Sequence, residues 1–494
     1  ERISCQPHHQ PGISSTSAFV GNFGKEETVI RRAVFCVVAC ALLVGVAGQA
    51  VAGEDTESRL RALEEQLRAQ EQEITQLRGA LAEQQAESVS IESEIDQYFS
   101  KAGNDADLQA GWAQKLHFTS ADKAFHLKVG GRVILDYTFT DPNSKFENVH
   151  SMASDYTQMF GFRQARMYMA GDIYKNTFFK IEFDLVDDTS YNDIENSQDI
   201  YIGLKNIPVI GHLRFGNQKE PFSLEAQTPF RFLSFMERAM AVNAFAPGRN
   251  VGIMAYDTTL DGTLWWGIGI FNMGDGLEPA KTGNNIPARV AWAPIMDEDA
   301  LLQVGISYAF HDDSSYGIMV QPENNMAGAS FSTGSFTAKA NHRFGIEVAG
   351  RFGPFHFAGE WIWSMYDKAS TGGKRNDVTL SGGYLQGGWF ITGEPRGFEN
   401  GAWSRTAPNE NFYDGNGGMG AFEVVARFSY IDLKDKIIQG DQAYCFTLGL
   451  NWYWNPNTRF MFNYVYVNHD EVGGNSDISG GTSNQFLFRL QIDW

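Results

Sequence analysis

The chain is short of cysteine, of positive charge and of long apolar runs, and each shortage excludes something. Only four cysteines occur in 494 residues. Cys5, Cys36 and Cys40 precede the processing site expected below. Cys445 is then the only one left, which rules out an internal disulfide or a cysteine-ligated zinc site. Lys and Arg together number 39 against 59 Asp and Glu, for a formal net charge of −20. No compensating basic stripe appears, so nucleic acid is excluded as a partner. One apolar run, Ala33 to Ala47, stands out. It is shorter than the roughly 20 residues a membrane helix needs. Against these shortages stand 13% aromatic residues, 51 glycines and a mean hydropathy of −0.29. A chain that is aromatic yet hydrophilic must interleave the two kinds of residue, as strands wet on one face do.

The first hundred residues divide by pattern. No methionine occurs before Met152, so residues 1–28 read as translated upstream sequence, with Val29 at the place of an alternative start codon. Residues 29–52 carry Arg31 and Arg32, the apolar run and Ala50-Val51-Ala52, the layout of a secretory signal cleaved after Ala52. Within 53–98, Leu60, Leu63, Leu67, Ile74, Leu77, Leu81, Ile91 and Ile95 fall at a and d positions of heptads, interrupted by Gln70, Gln84 and Ser88. That predicts a helical coiled coil, with a single solvated helix as the alternative. Residues 99–123 read as a linker.

From residue 124 to 494 the period is two. Phe125, Leu127, Val129, Val133, Leu135, Tyr137 and Phe139 oppose His126, Lys128, Arg132, Asp136 and Thr138. The same alternation recurs in segments starting near residues 125, 158, 175, 198, 211, 249, 263, 286, 301, 343, 354, 381, 418, 441, 457 and 484. The fold class expected is therefore an all-β transmembrane barrel of about sixteen antiparallel strands, preceded by the coiled coil. Long connections (140–157, 188–197, 220–248, 273–285, 312–342, 367–380, 470–483) alternate with short ones such as Gly353-Pro354 and Asn455-Pro456. The first kind is external and the second periplasmic. Residues 394–417 break the rule, being long where a periplasmic turn belongs. The last strand alternates Phe486, Phe488, Leu490, Ile492 and Trp494 to the final position, a pattern read here as an outer-membrane assembly signal.

No catalytic constellation emerges. Gly415-Asn416-Gly417-Gly418-Met419-Gly420 lacks the Lys-Ser/Thr of a phosphate loop and reads as a turn. Asp470, Glu471 and Asp477 do not match an EF-hand. Neither a metal nor a cofactor is expected, and the chain is not read as an enzyme. Alternation puts Lys128, Arg132, Arg166, Lys180, Lys205, Arg214, Arg289, Arg351, Arg427, Arg459 and Arg489 on the lumen wall. Fewer acids join them there: Asp136, Glu182, Asp184, Asp199, Glu347, Glu360, Glu423 and Asp493. A mildly basic lumen inside an acidic chain points to small anionic or polar solutes. Cross-strand ion pairing is the alternative role for most of these charges.

Several stretches resemble the phosphate-selective porin O/P family. They are Phe162-Arg163-Gln164-Ala165-Arg166, Phe215 through Glu225, Phe235-Met236-Glu237-Arg238-Ala239 and Val242 through Gly252. Farther on come Thr392-Gly393-Glu394, Gly420 through Glu423, Ala426 through Ser429 and Leu448 through Tyr453. The resemblance covers roughly residues 120–494. It implies a sixteen-stranded barrel in the outer membrane, a homotrimer, a third external loop folded inward, and room for a long linker after the Thr-Gly-Glu strand.

The composition of that third loop agrees. Phe222, Leu224, Phe230, Phe232, Leu233, Phe235, Met236 and Phe245 would be costly left in water. Folding the loop back carries Arg231, Arg238 and Arg249 into the lumen, with Lys219 at its root and a helical turn expected over Ser234 to Met240. A basic ring of this kind is a device for passing anions. The expected function is passive diffusion of small hydrophilic solutes, with a preference for anions such as phosphate. The alternative is a structural barrel or sheath, anchored through residues 54–98 to the cell wall or a periplasmic partner.

Overall fold

The structure is a computed structural model. It describes residues 108–112, 115–121, 123–150, 158–186, 197–272, 283–312, 315–326, 330–413, 415, 417–471 and 481–494. The expectations for residues 1–28, 29–52 and 53–98 lie outside them.

Among the described residues sixteen antiparallel strands close into a barrel. In chain order they are β1 (Phe125–Pro142), β2 (Gln158–Ile173), β3 (Thr177–Asp184), β4 (Ser197–Ile207), β5 (Gly211–Lys219), β6 (Arg249–Thr259), β7 (Leu264–Asn272) and β8 (Asn284–Met296). There follow β9 (Ala300–His311), β10 (Ala340–Phe352), β11 (Phe355–Thr371), β12 (Lys374–Phe390), β13 (Ala421–Asp435), β14 (Ile438–Asn455), β15 (Thr458–Glu471) and β16 (Gly481–Asp493). Each pairs with the next. The last returns to the first, with Asp493 opposite Arg132 and Ser483 opposite Pro142. Closure gives every backbone N–H and C=O a partner, the condition for strands to cross hydrocarbon.

The outward face is apolar and bare: Phe160 is 72% exposed, Leu385 63% and Ile306 55%. A belt of that size has no place in water, and a bilayer accommodates it. Near the short-turn end it is rimmed by stacked aromatics, Phe355 on Trp389 and Phe422 on Trp452, the girdle expected at a membrane interface. The turns there are tight. Gly353 takes φ 54° between Phe352 and Phe355, a left-handed conformation cheap only for glycine. At the seam, Gly131 and Trp494 exchange backbone hydrogen bonds of 3.0 Å in both directions. A Cβ on Gly131 would come within 2.6 Å of the Trp494 ring.

The structure departs from the sequence reading in four places. Residues 99–123 are not all linker: Leu108–Trp112 and Leu116–Ser120 form a hairpin that pairs on the start of β1. Residues 367–380 are not a loop. They are the continuous ends of β11 and β12 around a two-residue turn at Gly372 and Gly373, because alternation continues past the apolar belt into a polar, solvated extension. The external segment 312–339 carries its own hairpin, Ser315–Val320 with Phe331–Thr337. Residues 391–407 run back into the lumen, where Arg396 and Trp403 are buried.

Candidate functional site: a basic passage between loop and wall

The segment between β5 and β6, residues 220–248, folds into the barrel, driven by its apolar side chains. Phe222, Leu224, Phe235, Met236 and Phe245 are 0–2% exposed, each worth about 1.5–3 kcal/mol on removal from water. All but Phe235 share a core with Ile362, Leu380, Ile431 and Val465 from the inner wall, while Phe235 lies under the Arg427 guanidinium at 4.2 Å. The helical turn expected over Ser234 to Met240 lies instead at Met240–Phe245, after a 3-10 turn at Phe230–Phe232. The reason is that the backbone at Ser234, Met236 and Glu237 is spent on the wall. Asn463 Oδ1 accepts from the Met236 N–H at 2.8 Å. Asn451 Nδ2 donates to Ser234 O at 2.8 Å, and Arg427 Nη2 to Glu237 O at 2.8 Å.

Two buried wall carboxylates complete the attachment. Glu360 accepts the N–H groups of Leu224 and Glu225 at 3.0 and 2.7 Å, and the Tyr384 hydroxyl at 2.8 Å. Glu423 accepts the Ser234 hydroxyl at 2.7 Å and lies 2.7 Å from His356 Nε2. Within the loop, burial opposes the charge of Glu237, but Arg163 and Arg489 outweigh it and hold the carboxyl below its ordinary range. Burial wins at Glu220, whose carboxyl is pushed up to about 7 against the hydrogen bonds from Asn250 and Asn285.

The loop lies on β10–β16 and leaves space against β1–β6. Three cavities follow one another there. The upper, about 450 Å³, is bounded by residues 319–325 of the external hairpin segment. The middle one is about 330 Å³. The lower, about 640 Å³, reaches Asp257, Thr258 and the inturned residues 399–404. Arg163, Phe230 and Arg238 line both the upper and the middle cavity. Arg214, Gln227 and Pro229 line both the middle and the lower. The middle cavity therefore adjoins the other two, and the shared linings are the upper and lower necks between them.

The middle cavity holds the expected constriction residues Lys219, Arg231, Arg238 and Arg249, together with Arg132, Arg163, Arg166, Lys180 and Arg214. Among the described residues, Glu182 and Asp199 are the only carboxylates on its lining. Lys180 and Arg249 share Asp199 at 2.6 and 2.7 Å. Arg132 reaches Glu182 at 3.1 Å and Arg166 reaches Asp184 at 2.6 Å, and Arg231 Nε is 3.6 Å from Asp493. Three cations are held without an ion pair. Lys219 donates to Ala226 O at 2.7 Å, and Arg238 to Glu225 O and Thr228 O at 3.1 Å each. Arg214 lies between the Tyr201 and Tyr256 rings, 4.4 and 4.5 Å from their centroids. Carbonyls and π faces position a cation while leaving its charge uncancelled.

The other lumen-wall candidates are placed elsewhere. Arg289 pairs with Glu347 at 2.6 Å beneath Gly401, and Arg427 with Glu225 and Glu323 at 3.0 and 2.7 Å. Arg459 donates to Leu233 O at 2.8 Å, and Arg351 to Arg396 O at 2.7 Å. These four are covered by inturned segments. Lys128 is exposed near the periplasmic rim. Arg163 was missed as a lining residue: a bulge where β1 passes from Ile134 to Leu135 skips one residue of β2. A bulge of this kind lets both Arg163 and Arg166 reach the same cavity. The quoted Phe-Arg-Gln-Ala-Arg run contained both residues, but strict alternation admits only one. In the terminal strand, Leu490 and Ile492 face outward at 40 and 46% exposure, and Phe488 packs on Tyr137 and Phe462.

A closed antiparallel barrel, apolar outside and threaded by a polar file of cavities, defines an outer-membrane porin: a transport protein for small polar solutes, not an enzyme. The model of the family described as phosphate-selective porin O and P matches residues 127–494, and the chain belongs to that family. It is 24% identical over 427 residues to Porin O of Pseudomonas aeruginosa, covering 78% of this chain and 92% of that one. To an uncharacterized protein of Caulobacter vibrioides it is 25% identical over 379 residues, 74% and 72% of the two chains. A loop-deletion mutant of OmpT, an outer membrane protein of Vibrio cholerae, superposes with a TM-score of 0.49 at 10% identity, covering 75% of this chain and 100% of that one.

Proposed function

We propose that this porin passes small anions, phosphate among them, in preference to cations. The supporting observation is the middle cavity's nine cationic side chains against two carboxylates, with Lys219, Arg238 and Arg214 carrying no ion pair. A cation entering a narrow, poorly solvated gap beside fixed positive charge meets repulsion that water no longer screens. The family's description and the expected ring of Lys219, Arg231, Arg238 and Arg249 support the same reading. The test is the reversal potential of the purified porin in a planar bilayer under a salt gradient. The parent should select anions, and Arg238→Ala and Lys219→Ala should each lower the anion-to-cation permeability ratio by about threefold. Cation preference in the parent, or two unchanged variants, would overturn it.

The assembly proposed is a homotrimer joined through β3–β7. Strands of 8 and 9 residues, such as β3, β5 and β7, fall below or at the lower limit of the roughly 9–11 a bilayer requires, and packing against a neighbouring copy relieves the mismatch. The heptads of residues 54–98 are proposed as a periplasmic contact, to the cell wall or to the sister subunits.

A further inference from the structure

The upper neck is built around one aromatic ring. The guanidiniums of Arg163, Arg238 and Arg489 stand 5.1, 5.5 and 5.0 Å from the Phe230 centroid. They come from β2, from the inturned loop and from β16. Three like charges so close repel one another, so something must hold them. Arg163 and Arg489 share Glu237 at 2.8 and 3.0 Å, and Arg489 also has Asp136 at 2.6 Å. Arg238 has only carbonyl oxygens and the ring.

The ring itself is firmly seated. Phe230 is 6% exposed and packs on Ile134 of β1 and Leu233. It opens the 3-10 turn Phe230–Phe232 behind Pro229, so its backbone has little freedom. Ile134 is an apolar residue on β1, whose other lumen-facing neighbours Arg132 and Asp136 are charged, and it is buried in a cluster with Phe230 and Leu233. Phe230 also borders both the upper and the middle cavity, so whatever passes between them passes its edge.

We propose that Phe230 is the positioning residue of the porin's charge filter. Its π face helps hold Arg238, the neck guanidinium without an ion pair, in place against the repulsion of Arg163 and Arg489 without neutralising it. A carboxylate at the same point would hold Arg238 equally well and cancel the charge that attracts anions. The ring also sets the width of the neck, because it cannot swing away from Ile134. This inference rests on the anion preference proposed above.

The two roles separate by substitution. Phe230→Leu keeps an apolar side chain against Ile134 and Leu233 but has no quadrupole. In a planar bilayer its single-channel conductance should rise by up to about 1.5-fold as the smaller side chain widens the neck, while its anion-to-cation permeability ratio falls about threefold as Arg238 loses its fixed geometry. Phe230→Tyr keeps the face and should keep the parent ratio. Correct folding is read from heat-modifiable migration, and Phe230→Met poses the same question if the leucine variant does not assemble. A folded leucine or methionine variant with the parent's reversal potential, in a porin that does select anions, would overturn the inference alone. A parent without anion preference would overturn the proposed function as well.

Discussion

The two halves of the barrel wall solve different problems. From β3 to β7 the strands are 8, 11, 9, 11 and 9 residues long. The inner face of β3–β6 borders open space, with arginines and lysines only partly matched by acid. From β11 to β15 the strands run 17, 17, 15, 18 and 14 residues, and their inner face is covered by the inturned loop, by the 312–339 segment and by residues 391–407. On the covered side charge is buried and matched: Glu225 and Glu323 on Arg427, and Glu423 against His356. On the open side water remains and charge is in excess. The same residue type thus fastens loops to one half and faces solute in the other. What separates the roles is burial, since a buried ion must be paired and a wet one need not be.

The comparison breaks most severely at Arg427. Arg427→Ala leaves Glu225 and Glu323 buried without their cation, a loss of about 3–5 kcal/mol. The porin should lose its heat-modifiable form at a markedly lower temperature, and its conductance should become noisy as the inturned loop loosens. An unchanged transition temperature would mean that the covered half does not depend on this ion triad. The matching change on the open half is Asp199→Asn. It releases Lys180 and Arg249 from their shared partner in a wet site, so stability should move by less than about 1 kcal/mol. Reversal potential should meanwhile shift toward stronger anion preference, and a shift toward cations would contradict the assignment of the open half as the filter. The smallest effect is expected from deleting residues 54–98. Closure already satisfies every strand edge, so native mass measurement in detergent should show three copies before and after. Loss of the trimer on deletion would transfer the assembly role from the short wall to the heptads.

Much of this was legible in sequence because a membrane barrel writes its fold locally. Alternation located all sixteen strands, and the apolar content of residues 220–248 announced a loop that could not stay in water. Alternation does not report which part of a lumen is later filled. Arg427 and Arg166 look alike in their own strands, yet Arg427 meets Glu225, which lies 202 positions earlier in the chain, while Arg166 pairs with Asp184 of the adjacent strand, only 18 positions away, and lines the cavity. Residues 394–417 stood out only as too long for a periplasmic turn, and nothing in them announced that residues 391–407 turn inward. Their burial rests on scattered contacts, Trp403 in the core, Arg396 with His356 and Gly401 O with Arg289, which carry no periodic signature. The second lining arginine of β2 was hidden by a one-residue bulge, the kind of irregularity that alternation cannot express.

The seam between β16 and β1 has a consequence for how the molecule comes to exist. Arg489 and Asp136, which pair across it, are separated by 353 positions. The thermodynamic cost of so long a separation is small, since each doubling of a loop adds only about 0.6 kcal/mol. The kinetic cost is not, because contacts between distant positions form late and slowly. Until they form, a sheet of sixteen strands joined by fifteen pairings still shows two raw edges, and neither is tolerable in hydrocarbon. Insertion and closure must therefore finish as a single act, and the glycine that lets Trp494 lie flat against the first strand helps determine when a nascent chain becomes a membrane protein.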